Sequence, residues 1–341
     1  MRSAAKPEPA AEPERAAELE PRSKSEREPE RADADPSPPL RNYRLLVSYE
    51  GSAYHGWQFQ PGLSTVQGEI ERALFAITGQ AVRVAGAGRT DAGVHAIGQV
   101  ATFRLATRVP EERLRPALNK HLPRSIHIRA AGEAPARFAA RFSATWRRYR
   151  YLLAREPSPF LRGRAWVPRS WPDAALMSAA VTVLPGEHEC GAFTTQREGP
   201  YGCLVHEARW EEWDGGLAFV IRSNRFLYQM VRVILGTCVE IGRGRMAPGA
   251  MEAILASGDR RQAGPLAPAA GLYFLDVGYE PPWPGGDDPS EPERLGGPGN
   301  RVQWKGSAGT VDGSCPGCDE EAARPRGGLE TDRQGRCDVS K

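Results

Sequence analysis

The stretch GAGRTDAGVHAIGQVATF, Gly86 to Phe103, decides how this chain is read. It sets one carboxylate, Asp91, between Arg89 and His95, with Gly86, Gly88 and Gly93 around it. Val82 and Val84 predict a strand entering the stretch, and Gln99 to Phe103 a strand leaving it. Glycines allow backbone angles closed to other residues and let a ligand come close to the main chain. A carboxylate held there beside cations is placed for chemistry or for anchoring a polar ligand; an Asx-turn closing the loop is the structural alternative. A dinucleotide loop does not fit. Asp91 occupies the third glycine position of that fingerprint and would repel a pyrophosphate.

Working outward, Tyr43 to Tyr49 alternates, with Leu45, Val47 and Tyr49 on one face of a strand. A helix follows the loop at Gly51 to Gly62, with Ser64 and Gln67 as a capping box and Gly79 as its stop. Its apolar face is Val66, Ile70, Ala73, Leu74 and Ile77. Glu111 to Asn119 predicts a second helix and Ser125 to Ala130 a strand. In the second half, Arg147 to Leu153 reads as a strand and Asp173 to Leu184 as a helix with Asp173 near its cap. Val205 to Trp213 and Leu217 to Arg222 form a hairpin closed by Asp214-Gly215-Gly216. Leu227, Met230, Val231, Ile234, Cys238 and Ile241 mark a long helix from about Asn224 to Ile241, and Leu272 to Val277 a closing strand. The expected fold is α+β: two similar units, 41–143 and 144–282, with mainly antiparallel sheet, meeting around a cleft.

The ends differ in composition from this body. Residues 1–40 and 283–341 are dominated by Pro, Gly, Glu, Asp, Ala, Ser and Arg, too poor in apolar surface to offset chain entropy, and are expected to be disordered. They carry 7 and 8 of the chain's 45 cations and 10 and 11 of its 42 anions, so the middle keeps 30 against 21, a net +9. That balance fits a polyanionic partner, and equally a soluble surface rich in arginine. The six cysteines make one CxxC, Cys315 and Cys318, without the second pair that a zinc site wants. No apolar run approaches the roughly 20 residues that span a bilayer. The N-terminus is too acidic for a mitochondrial presequence and lacks the apolar core of a secretory one. A reduced, cytoplasmic protein is expected.

Two further segments carry chemistry. Arg232 lies in the apolar run QMVRVIL, where a guanidinium is costly unless paired or snorkelling. A carboxylate partner would hold it, and the carboxylate in an unusual setting is Asp91. Helical spacing puts Tyr228 and Arg232 on one face. The run ARFSATWRRYRYLL, Ala140 to Leu153, interleaves Arg141, Arg147, Arg148 and Arg150 with Phe142, Trp146, Tyr149 and Tyr151. Cations mate with phosphates and aromatic faces stack on unpaired bases, so the mixture suits RNA; tyrosines in a core with arginines outside would give the same alternation. The histidines show no metal spacing, and the deaminase signature is incomplete.

Taken in order, YHGWQ (Tyr54–Gln58), TVQ (Thr65–Gln67), GAGRTDAGVHA, ARFSATWRRYRY, NRFLYQMVR (Asn224–Arg232) and GLYF (Gly271–Phe274) resemble the bacterial TruA family of tRNA pseudouridine synthases, from about Tyr43 to Tyr279. The resemblance implies the pseudouridine synthase fold and isomerisation of uridine at positions 38, 39 and 40 of the tRNA anticodon stem-loop. It implies no metal or organic cofactor, a homodimer and tRNA as partner. By position Asp91 matches the catalytic aspartate, Arg232 its ion-pair partner and Tyr149 the tyrosine against the target base. Arg89, His95 and the segment Phe138 to Phe142, with Arg141, match RNA contacts, to which the basic run adds Arg147 and Arg148. Two departures stand out: Glu189-Cys190 replaces the family's usual Asp-Phe, and Gly199 to His206 lacks an arginine that many relatives carry nearby.

Overall fold

The computed structural model describes residues 37–279. Residues 1–36 and 280–341, which hold nearly all of both biased tails and the Cys315–Cys318 pair, lie outside the described residues. The first half runs through strand β1 (Leu40–Tyr49), helix α1 (Val66–Thr78), short strand β2 (Ala85–Gly86), long strand β3 (His95–Ala106), helix α2 (Glu111–His121) and strand β4 (Ile126–Ala134). The second runs through β5 (Ala144–Ala154), α3 (Ala174–Val181), β6 (Gly186–Glu189), β7 (Gly202–Trp213), β8 (Gly216–Ser223), α4 (Met230–Gly242), α5 (Ala250–Ser257) and β9 (Leu272–Tyr279).

All nine strands join one sheet in the order β4-β1-β3-β9-β5-β8-β7-β6, with β2 on β3. The α+β architecture is as the sequence predicts. Within each half the pairing is antiparallel. The halves meet where β3 and β9 run parallel over two rungs, His95 with Tyr273 and Ala96 with Phe274. On β5 and β8 the side chains of Tyr151, Leu153, Phe219 and Ile221 are buried, as is the apolar row of α4 from Met230 to Ile241. Tyr43 to Val47 is buried on both faces of β1, which is why simple alternation understates that strand. Among the described residues no helix is long and apolar enough to cross a membrane.

Local chemistry moves several boundaries. Thr65, not Ser64, caps α1: it is extended (φ −137°, ψ 150°) and its hydroxyl accepts the Gly68 N–H. Gln67 leaves the capping box, accepting the Phe59 N–H at 2.9 Å and donating to Glu71 at 2.7 Å. Gly79, at φ 69°, ends the helix as expected. The strand foreseen at Val82 and Val84 shrinks to Ala85–Gly86, and β3 begins at His95, well before Gln99. The long helix starts at Met230 instead of Asn224, because Gln229 is left-handed (φ 61°) and breaks the helical path. Tyr228 therefore lies ahead of α4 and does not share a helical face with Arg232. Strand β6, sequence GEHE, carried no apolar alternation to announce it.

The junction of the halves is tight. A Cβ added to Gly98 would fall 2.5 Å from the Leu275 carbonyl oxygen. Gly98→Ala should therefore force β3 away from β9 and destabilise the fold by about 1–3 kcal/mol, read as a lower urea or thermal midpoint. An unchanged midpoint would show that the junction can relax around a methyl group.

Candidate active site

The glycine loop between β2 and β3 is held from several sides. Ala87 N–H donates to Val100 O at 2.8 Å, and Trp57 N–H to Thr90 O at 3.0 Å. Gln99, fully buried on β3, closes a two-way contact with Gly88, accepting its N–H at 3.2 Å and donating to its carbonyl at 2.7 Å. Tyr49 and Thr90 share a hydroxyl hydrogen bond at 2.8 Å, and burial pushes Tyr49 up to about 12. Gly88 must be glycine for packing: a Cβ there would sit 2.8 Å from the Phe274 ring. The loop is thus a rigid mount, and Asp91 stands on it.

Arg232, in the first turn of α4, reaches Asp91 from the other half of the chain, with Nη1 to Oδ2 at 3.0 Å. Its Nε donates to Ala267 O at 2.8 Å, while Ala267 N–H donates to Arg232 O at 3.1 Å. The guanidinium is therefore fixed before any ligand arrives. Both side chains are largely buried, 13% and 18% exposed. Tyr149 on β5 is buried edge-on against Phe226 (4.9 Å, 86°) and Phe274 (5.1 Å, 81°). Burial, then the nearby Tyr49 and the Asp91 carboxylate, hold its hydroxyl far above the ordinary value of 10, so it is a neutral phenol.

These three residues line one cleft of about 600 Å³, together with Arg89, Arg141, Phe142 and Arg147. Arg89, Arg141 and Phe142 are exposed there. Other residues matched to RNA contacts are held by partners within the protein. His95 is 2% exposed: its Nδ1 accepts the Gly51 N–H at 3.1 Å, which leaves Nε2 to donate to Gly163 O (2.8 Å) and Ala270 O (3.0 Å). Phe138 is buried and packs edge-on against Tyr279 at 5.0 Å. Arg147 lines the cleft but spends its guanidinium on the carbonyls of Ala87, Ala144, Asn224 and Arg141. Arg148 makes a two-pronged pair with Asp276 and lies over the Trp146 ring at 5.8 Å.

Sequence reading missed Arg225, Phe226 and Gln229, which also line the cleft. They sit inside a stretch taken as regular helix, where the apolar period drew attention away from the residues between. Gln229 keeps its left-handed backbone with support from the segment after β6: Thr195 Oγ1 donates to its Oε1 at 3.0 Å, and Thr194 Oγ1 to Tyr228 O at 2.9 Å.

A sequence profile described as tRNA pseudouridine synthase matches residues 45–143 and 180–280. The chain belongs to that family. The tRNA pseudouridine synthase A of Chlorobaculum tepidum is 42% identical over 242 residues, covering 70% of this chain and 98% of that protein. The protein of the same name from Acetivibrio thermocellus is 39% identical over 244 residues, 70% of this chain and 100% of its own length. That from Chloroflexus aurantiacus is 43% identical over 251 residues, 71% and 90%. Family membership makes the protein an isomerase.

The geometry sets two expectations. Arg232→Leu should leave Asp91 without its cation in a mostly dehydrated site. The loss should fall between surface pairs (up to about 1 kcal/mol) and fully buried ones (about 3–5 kcal/mol), measured by chemical denaturation. Wild-type stability and activity together would refute a structural need for the pair. Burial holds His95 below its ordinary 6.5, with Glu50 at 3.6 Å opposing this in part. The unfolded chain then takes up that proton first, so the stability from His95 is complete above its unfolded value and is lost as the pH falls through its folded value. The stability difference between wild type and His95→Asn should shrink on acidification from about pH 7.5 to about pH 5. A pH-independent difference would contradict a buried neutral ring.

Proposed function

We propose that the protein converts uridine to pseudouridine at positions 38, 39 and 40 of the tRNA anticodon stem-loop, as a cytoplasmic homodimer needing no metal or organic cofactor. The observation that carries this reading is Asp91, ion-paired to Arg232 at 3.0 Å and open to a cleft of about 600 Å³ walled by Tyr149. That volume suits a nucleoside and is too small for a folded RNA, so one base enters while the rest of the tRNA stays outside. In this scheme the unit 41–143 supplies Asp91, and the unit 144–282 supplies Tyr149 and Arg232.

The reaction is an isomerisation. The N1–C1′ bond breaks, the uracil turns, and C5 joins C1′; C5 gives up its proton and N1 gains one. A carboxylate can serve by attacking C1′, by adding to the base, or by stabilising positive charge at C1′. Each route needs the Asp91 carboxylate aimed, which is what Arg232, locked on Ala267, provides. Tyr149 contributes a flat wall and a neutral hydroxyl. Burial keeps that hydroxyl protonated, so it can orient the uracil as a hydrogen-bond donor. Arg89, Arg141 and Arg225 at the cleft offer guanidinium groups to backbone phosphates, and the net +9 of the central region draws the polyanion in.

Asp91→Asn keeps the side-chain volume and removes the charge. It should abolish pseudouridine formation on unmodified tRNA, at least ~1,000-fold in single-turnover rate, while the tRNA dissociation constant stays within a few-fold. Lost binding with intact fold would instead make Asp91 an anchoring residue. Wild-type protein that converts none of positions 38–40 would refute the function itself.

A further inference from the structure

We propose that Phe142 is the wedge that enters the tRNA stem at the place the target uridine vacates, keeping the base in the cleft during turnover. This rests on the function proposed above and names the group that offsets the lost stacking. Among the aromatic residues of the cleft, Tyr149 is buried and edge-packed, Phe226 is half-buried and Tyr228 is 56% exposed. Phe142 is 84% exposed at the same cleft. Phe160 is equally exposed but lies outside the cleft.

The backbone under Phe142 is fixed. In the turn between β4 and β5, Ser143 N–H donates to Ala139 O at 2.9 Å and Ala139 N–H to Ser143 Oγ at 3.2 Å. Ala140 donates to Thr102 Oγ1 at 3.3 Å and accepts from Tyr279 Oη at 2.9 Å. Asn42 holds the carbonyls of Pro135 and Phe138 at 2.8 and 2.9 Å, and the half-buried Arg147 holds that of Arg141. So many tethers around one bare phenyl ring mean that little ordering entropy remains to be lost when it inserts. The Arg141 guanidinium lies over the ring with its carbon 5.6 Å from the centroid, beside the phosphate that a wedge would bring near. Apolar side chains that unstack a base step are a general means of opening a duplex. His95 is buried and cannot serve, and Arg89 is a second exposed side chain of the cleft that competes for the role.

The tRNA itself supplies the test, because position 38 lies in the loop whereas 39 and 40 are paired in the stem. With full-length tRNA, Phe142→Ala should slow conversion at 39 and 40 by about 10-fold or more and at 38 much less, with the unfolding midpoint unchanged. Phe142→Trp should restore the stem positions, and Phe160→Ala should behave as wild type. A second arm needs no turnover: wild type should bind tRNA carrying an abasic site at position 39 more tightly than intact tRNA, and Phe142→Ala should lose that preference. Wild-type rates at 39 and 40 in Phe142→Ala, equal losses at all three positions, a retained abasic preference, or the stem-selective loss in Arg89→Ala alone would each overturn the proposal. Inactivity of the wild type would sink the function reading, with the abasic arm still deciding whether Phe142 fills an emptied stack.

Discussion

Two rungs of parallel pairing, His95 with Tyr273 and Ala96 with Phe274, join the halves of the sheet, and everything at the site depends on them. Asp91 precedes His95 by four residues, and Arg232 and Tyr149 come from the other half. Without that junction the carboxylate and its cation would belong to separate bodies. His95 reinforces the join and ties it to its own half. Its ring stacks on Tyr273 at 4.7 Å, takes the Gly51 N–H and gives its own proton to Gly163 and Ala270. A ring with both nitrogens spent on backbone groups has no donor left for a ligand. Burial keeps it neutral and therefore able to accept the Gly51 N–H.

The second constraint is the cost of dehydrating charge. Arginine is used here in two distinct ways, although composition alone makes every arginine look alike. Arg147 and Arg232 are turned inward, where carbonyl oxygens and one carboxylate satisfy their donors. A buried guanidinium left unsatisfied would be prohibitive, so each becomes a rigid strut once satisfied. Arg89 and Arg141 stay at the exposed rim, where a guanidinium can exchange water for phosphate. The cleft thus has a stiff floor, preorganised around Asp91, and an adaptable cationic edge. A site that must orient one base while holding a large polyanion needs both.

Much of this was legible in advance. The GRTDAGVHA loop, the basic-aromatic run and Arg232 in its apolar helix identify the family, and one buried cation with one exposed-loop carboxylate led to the pair. Boundaries were legible where a local rule operates, as at Gly79, Asp173 and the Asp214-Gly215-Gly216 turn. They failed where a backbone outlier intervened. Gln229 has no residue type that announces a left-handed angle, and the helical period runs straight through it. Side chains in the basic run were readable as a class but not singly: Phe138 and Phe142 are four residues apart, one in the core and one in water.

By itself the sequence determined the family and the α+β alternation, because these depend on residue types at fixed short spacings. Tertiary structure alone decided which side chains face water and which are spent on the protein's own backbone. It withdrew His95 and Phe138 from the solvent, turned the half-buried Arg147 guanidinium onto main-chain carbonyls, and left Phe142 bare beside the cleft. The physical reason is that burial is a property of three-dimensional neighbours. Whether a cation or ring faces water or carbonyl oxygens is set by strands and loops far away in the chain, which local pattern does not encode.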